Sequence, residues 1–220
     1  MVNSAAVGQK RTRSWKQDPD AVRADILRAA KSEFAKKGLA GTSVKDIADR
    51  IQTSRRMIFY YFGDKEGLYR KVLEDAYSSI RQAEMELHLD GLDPLEALKR
   101  LVEFTFDHHW RNSDFIRLVM GENIHDGHYM KQIKSMHETN TKVIDQLTRI
   151  CNAGKKEGRF REDIEPLQLH WEISALSFFN VSNKATFSIN FGDELYTDEG
   201  QAALRARIVD CVLCSVTPKT

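Results

Sequence analysis

Cysteine and proline are scarce in this chain, with three cysteines (Cys151, Cys211, Cys214) and four prolines in 220 residues. Three thiols cannot build the bridged framework of a small secreted domain, so the chain must fold on a core of its own, and a reducing cytoplasm is the expected setting. Long apolar runs are missing too: none approaches the roughly 20 uncharged residues that cross a bilayer. The N-terminal stretch has no apolar core behind its basic residues, so neither a membrane span nor a secretory signal is expected. Strand-type alternation and internal repeats are absent from the sequence. So are a nucleophile elbow, a phosphate loop, a dinucleotide fingerprint and a zinc-protease helix. Nothing points to an enzyme, and no cofactor is expected.

What is present is ordinary for a water-soluble protein: 41% hydrophobic and 30% charged residues. The formal net charge of +1 hides an asymmetry. Residues 1–75 carry 16 Lys and Arg against 10 Asp and Glu, whereas the remaining residues carry 17 against 22. A basic first third on an acidic remainder suggests an anionic partner for the first part alone.

Helical periodicity runs through the whole chain and predicts an all-α fold of about nine helices. Residues 1–17 are polar, basic and aperiodic, and read as a mobile arm. Asp18-Pro19 is a helix start, a capping carboxylate followed by proline at the first helical position. Val22, Ile26, Leu27, Ala30 and Phe34 then share a face, and Gly38 closes the helix. Thr42-Ser43 and Thr53-Ser54 are cap candidates for two short helices, the second ending at Phe62 before Gly63-Asp64. A long helix starts near Lys65 and passes Tyr77. Further helices are expected from Asp93-Pro94 to about Trp110, from a Ser113 cap, through Thr141–Ile150 to Lys156, from Pro166 to about Phe187, and from about Asp198 to Val216. Gly121–His128 reads as a loop. The expected division is an arm over 1–17, a small domain over 18–65 and a larger helical domain over 66–220.

The two short helices suit a helix-turn-helix unit. In the second, Ile58 and Phe62 lie four apart and point toward Ile47, Ala48 and Ile51. This turns Ser54, Arg55, Arg56, Phe59 and Tyr60 toward the opposite or leading side. Arginine matches guanine edges and phosphates, and tyrosine hydroxyls reach phosphate oxygens. Thr42, Ser43 and Lys65 lie near helix N-termini, where phosphates are favoured. The DNA-contacting candidates are therefore Thr42, Ser43, Ser54, Arg55, Arg56, Tyr60, Tyr61 and Lys65, with Tyr61 equally suited to sealing the small domain.

The stretches "ILRAAKSEFAKKGLAGTSVKDIADR" and "TSRRMIFYYFGDKEGLYRKVL" within residues 23–73 resemble the DNA-binding domain of TetR-family transcriptional regulators. Ile58-Phe59-Tyr60-Tyr61-Phe62, with Lys65-Glu66 and Leu68, carries most of the likeness. The resemblance implies a homodimer on a palindromic or near-palindromic double-stranded operator, released by a small-molecule effector bound in the larger domain. It also implies a repressor whose last two long helices form the dimer interface. Three positions depart from the family pattern. Gln52 stands where the interhelical turn usually has glycine, Thr53 replaces an apolar residue, and Phe59 replaces a phosphate-touching tyrosine. Arg11, Arg13 and Lys16 could reach DNA as a flexible arm. The alternative function is an effector-independent DNA-binding or partner-recruiting regulator with no working ligand pocket.

In the larger domain Phe104, His108, Trp110, Met120, His137, Trp171, Phe178, Phe179 and Asn183 are the pocket candidates, each equally at home in a core. Asn180 and Asn183 sit among apolar residues and need a partner if buried: a ligand, a second subunit or solvent. His108-His109, His125, His128 and His137 form no zinc signature, and no metal is expected. Cys211-x-x-Cys214 lacks the neighbours that would lower a thiol pKa, and reads as two small hydrophobes in an interface.

Overall fold

The computed structural model describes residues 18–218. The arm over 1–17, with Arg11, Arg13 and Lys16, lies outside the described residues. Among them there is no strand, and ten α-helices and two short 3-10 turns account for the fold. The chain divides into two compact units, one up to Val72 and one from Leu73 onward, so the boundary falls inside a helix rather than at 65/66.

The first unit contains α1 (Pro19–Gly41), α2 (Val44–Arg50), α3 (Arg55–Phe62) and the start of α4 (Lys65–Met85). Asp18 caps α1 by accepting the Ala21 N–H at 2.9 Å. Ile26, Ala30 and Phe34 of α1 are buried with Ile47, Ile58 and Leu68. The Phe34 and Tyr69 rings meet edge to face at 5.1 Å, an arrangement aromatic quadrupoles favour. Gly38 breaks the helical path with φ +69, leaving a short tail to Gly41. Ser43 caps α2, and Ser54 caps α3 by accepting the Met57 N–H at 3.2 Å. Gln52, in the turn between them, sits at φ +55. A side chain there has the close contact with its own backbone that glycine avoids.

The second unit completes α4 and adds α5 (Pro94–Arg111), α6 (Ser113–Ile124), α7 (Ser135–Lys156), α8 (Pro166–Ser182), α9 (Lys184–Phe191) and α10 (Asp198–Val216). Helix α5 lies at its centre and packs on α7, α8 and α10. Leu98 and Val102 of α5, Leu147 of α7, Ile173 of α8 and Val212 of α10 form the heart of its core.

Three boundaries differ from the sequence reading. Helix α6 continues through Gly121 to Ile124. One glycine costs a helix only about 1 kcal/mol, and buried Glu122 secures the end by accepting the Tyr129 and Met130 N–H groups at 3.1 and 3.0 Å. Asn112, not Ser113, precedes the first turn of α6, without a side-chain cap. The helix opened by Pro166 stops at Ser182 instead of reaching Phe187. Asn183 ends it by donating its N–H to the Phe179 carbonyl, and its own carbonyl accepts the Phe187 N–H that starts α9. Short polar side chains such as Ser182 and Asn183 favour interruptions of this kind.

Candidate nucleic-acid interface and effector cavity

Helix α3 has one buried anchor and one free face. Ile58 is completely buried, while Arg55, Arg56, Phe59 and Tyr60 are exposed, Tyr60 by 75%. No hydrogen bond or ion pair engages Arg55 or Arg56 among the described residues. Ser54 and Ser43 are exposed as well, each accepting an N–H as a helix cap. Tyr61 is half-buried, its ring packed edge-on to Tyr60 at 5.3 Å. Helix α2 is fixed to α1 by Glu33, whose carboxylate meets Lys37 at 2.8 Å and Arg50 at 3.0 Å. The hydrogen bond from Lys37 holds that carboxyl below its usual pKa. Helix α3 meets α4 through Gly67, where a Cβ would lie 2.2 Å from the Phe62 carbonyl oxygen. Two guanidinium groups and an aromatic hydroxyl thus stand on a short helix held by fixed supports, the arrangement a groove-reading helix requires.

Two of the expected DNA contacts are engaged within the first unit. Thr42 is buried, and its hydroxyl donates to the carbonyls of Gly38 at 2.8 Å and Glu33 at 3.1 Å. A cap hydroxyl committed in this way is not a phosphate donor, and Thr42 leaves the candidate set. Lys65 donates from Nζ to the carbonyls of Leu39 at 2.8 Å and Thr42 at 3.1 Å. It neutralises the negative end of α1 and ties α4 to the turn before α2.

The second unit holds a cavity of about 180 Å³ between α4, α5, α6 and α8. Tyr77, Arg81, Glu84, Thr105, His109, Phe115, His170 and Phe178 are among its walls. Arg81 and Glu84 form an ion pair on one face of α4, their side chains only 11% and 5% exposed. Burial raises the Glu84 carboxyl pKa against the pull of Arg81. Burial likewise lowers His109 and His170 to about 4, so both imidazoles are neutral at pH 7. Tyr77 is pushed up to about 12 by the same desolvation. Arg81 Nε and His109 Nδ1 are buried without a partner. Buried unsatisfied donors and acceptors are unusual in folded proteins and suit a ligand-receiving cavity.

A larger, apolar groove of about 710 Å³ follows α8 and α10, walled by Trp171, Leu176, Phe179, Leu204, Ile208 and Cys211. Trp171 is 70% exposed and Phe179 55% exposed in it. Two large aromatic side chains thus face water along one apolar groove.

Comparison with known proteins finds matches to both halves of the chain. The family model for the tetR family of bacterial regulatory proteins matches residues 26–72, and that for the tetracyclin repressor-like C-terminal domain matches residues 94–212. The chain belongs to the TetR family. The HTH-type transcriptional repressor NicS of Pseudomonas putida is 34% identical to this regulator over 197 residues, 90% of this chain and 93% of NicS. The HTH-type transcriptional repressor AcnR of Corynebacterium glutamicum is 25% identical over 205 residues, 93% of this chain and 99% of its own. Among solved structures, a TetR family transcription regulator from Marinobacter aquaeolei superposes with a TM-score of 0.70 at 20% identity, covering 93% of this chain and all of that one. The ketosteroid transcriptional regulator KstR2 of Mycobacterium tuberculosis does so with 0.67 at 18% identity, over 91% and 97%. These two establish the all-helical fold.

Of the pocket candidates whose side chains are described in this TetR-family regulator, Phe178 alone lines the smaller cavity. Trp171 and Phe179 line the open groove instead. Trp110 stacks on Tyr196 at 6.2 Å, with Lys184 Nζ 4.6 Å from its ring centroid. Phe104 packs on His108, and neither ring is on the cavity wall. Met120 is half-buried outside both cavities. The side chain of His137 lies outside the described residues. Asn183 donates to the Ser182 hydroxyl at 2.8 Å, whereas buried Asn180 pairs with Gln201. Asn180 therefore has a side-chain partner on α10. Among the described residues no His, Cys, Asp and Glu cluster could hold a metal. Cys151 is buried, which raises its thiol to about 11, and Cys211 and Cys214 are exposed on the single chain.

The sequence reading missed Arg81, Glu84, His109 and His170. A register argument reaches two of them. Leu73, Ala76 and Ile80 fall on one buried stripe of α4, and Glu84 is the next position on it. Leu98, Val102 and Thr105 define the buried stripe of α5, which continues at His109 rather than His108.

Proposed function

We propose that this regulator is a repressor that binds its operator as a homodimer and is released by a small molecule held in the second unit. The exposed Arg55, Arg56 and Tyr60 face of α3, set on buried Ile58, is the observation that carries the DNA reading. In the groove Arg56 and Arg55 donate to base edges or phosphates, and Ser43, Ser54, Tyr60 and Tyr61 supply hydroxyls for backbone contacts. Two such helices related by a two-fold axis require a palindromic or near-palindromic site. The open groove along α8 and α10 supports the dimer, since a second copy laid across it removes Trp171 and Phe179 from water. The smaller cavity supports an effector, because Arg81 and His109, which line it, retain unpaired polar atoms. That cavity favours ligand-released regulation over an effector-independent regulator. No helix among the described residues is long and apolar enough to cross a membrane, and the proposed site of action is the cytoplasm.

Selection of genomic fragments with the purified protein, titrated over salt, tests the reading. Recovery of a symmetric site with a steep salt slope is the expected outcome, because each neutralised phosphate adds about one unit to that slope. Recovery of no fragment above background, with and without candidate effectors, overturns it.

A further inference from the structure

The chemistry of the smaller cavity narrows the class of effector, an inference that rests on the cavity being the effector site. Size comes first. A cavity of about 150 Å³ accepts one benzene, so about 180 Å³ suits a single six-membered ring with one or two small substituents. Its aromatic walls suit a flat molecule. Phe115 and Phe178 approach the His109 ring at 6.1 and 6.4 Å, leaving ring faces and edges for an aromatic guest.

The two unpaired atoms add polarity and direction. Arg81 donates to Glu84 through Nη1, and its Nε–H remains buried and unused. A guanidinium edge matches a carboxylate better than any other small acceptor. The His109 imidazole is held neutral by burial, with Nδ1 buried and unpartnered. A neutral imidazole offers one N–H and one lone pair, so the unpartnered Nδ1 calls for a group that can donate or accept, as a hydroxyl can.

We propose that the effector is a hydroxylated single-ring aromatic acid, its carboxylate accepting from Arg81 Nε and its hydroxyl hydrogen-bonded to His109 Nδ1. The ring lies against Phe115 and Phe178. Charge balance adds a second feature. The titratable groups facing the space are Tyr77, Arg81 and Glu84 of α4, His109 of α5 with His108 beside it, Glu122 of α6 acting on Tyr77, and His170 of α8. Arg81 and Glu84 cancel, and the histidines carry no charge at pH 7. A bound carboxylate therefore leaves one negative charge in excess in a desolvated space. Binding draws in a proton, which Glu84 accepts, and affinity rises by up to about tenfold for each pH unit lowered.

The test is isothermal titration calorimetry on the full chain without DNA. The probes are 2-, 3- and 4-hydroxybenzoate, with benzoate and phenol as controls, at two pH values and in buffers of different ionisation enthalpy. At least one hydroxybenzoate is expected to bind about tenfold or more tightly than either control, with net proton uptake. His109→Leu should bring that isomer down to the affinity of benzoate, and Arg81→Lys should weaken every acid while leaving phenol unchanged. Failure of all three isomers to bind at millimolar concentration, or phenol binding as tightly as the acids, overturns the proposal, and these wild-type results stand even if a variant misfolds. A mobility-shift assay on the selected operator separates the two readings. An acid that binds but does not release DNA overturns ligand-released repression and leaves this assignment intact. Release by phenol and not by the acids does the reverse.

Discussion

Asn180 of α8 and Gln201 of α10 exchange side-chain amide hydrogen bonds in the buried second unit. Asn180 Nδ2 donates to Gln201 Oε1 at 2.8 Å, and Gln201 Nε2 returns a bond to Asn180 Oδ1 at 3.2 Å. Gln201 Nε2 also donates to the Leu195 carbonyl at 2.6 Å, which fixes the 3-10 turn before α10. Replacing one amide alone strands the other in a dry site. We expect Gln201→Leu to cost about 1–3 kcal/mol, and Asn180→Leu on top of it to recover part of the loss. Urea denaturation of the two single variants and the double variant, read as a thermodynamic cycle, checks this. Simple additivity would show that the pair is not coupled.

Gln52 holds φ +55 in the turn between α2 and α3. A left-handed residue with a Cβ is strained by about 1–2 kcal/mol relative to glycine, and glycine gives back part of that through its greater chain entropy. Gln52→Gly should therefore stabilise the first unit by roughly 0.5–1 kcal/mol. A higher denaturation midpoint with unchanged DNA affinity is the expected result.

Arg56 and Lys65 should fail in different ways. Arg56 is exposed and has no partner among the described residues, so Arg56→Ala should leave stability unchanged. It should weaken operator binding by about 1–3 kcal/mol and relax the preference at one base pair. Lys65 is tied to Leu39 and Thr42, so Lys65→Met should lower the melting temperature and weaken all duplexes alike. Fluorescence anisotropy on a set of operator variants, paired with thermal melts, distinguishes the two patterns.

Acid should destabilise this protein before its exposed carboxylates titrate. His109 and His170 are depressed to about 4 when folded, against about 6.5 in the unfolded chain. The unfolded state thus binds more protons, so stability is intact above about pH 6.5 and falls as pH drops toward 4. Glu84, raised by burial, works in the opposite direction and offsets part of the loss. His109→Leu should flatten the fall, which urea midpoints measured across that pH range will show.

Trp171 is 70% exposed on the single chain and borders the apolar groove. Trp171→Glu should place a charge in the proposed dimer face, yielding a folded monomer that has lost operator affinity. Sedimentation at micromolar concentration gives the mass of each form. A wild-type monomer under those conditions would count against the dimer.

Some of this molecule follows from the order of its residues alone. Caps at Asp18, Ser43 and Ser54, and the stop at Gly63, are local chemistry, settled by groups within three or four positions of one another. They place α1 to α3, and the outward Arg55 and Arg56 follow from helical periodicity once Ile58 is assigned inward. The strain at Gln52 is legible for the same reason, since a turn that favours glycine imposes its backbone angles on whatever occupies it. Thr42 and Lys65 could not be read that way. Their partners are carbonyls of α1, the α2 turn or both, and a hydroxyl or ammonium is free or committed only once those elements pack. The cavity is a tertiary product in the strict sense. Arg81, His109 and His170 come from three helices well separated in sequence, and burial by their neighbours is what neutralises the histidines and leaves Arg81 Nε unpaired. Asn180 likewise needed α10 folded onto α8 before its amide had anywhere to turn. Local hydrogen bonding fixed helix α3, whereas desolvation, which depends on all the packed elements at once, made the cavity and its chemistry.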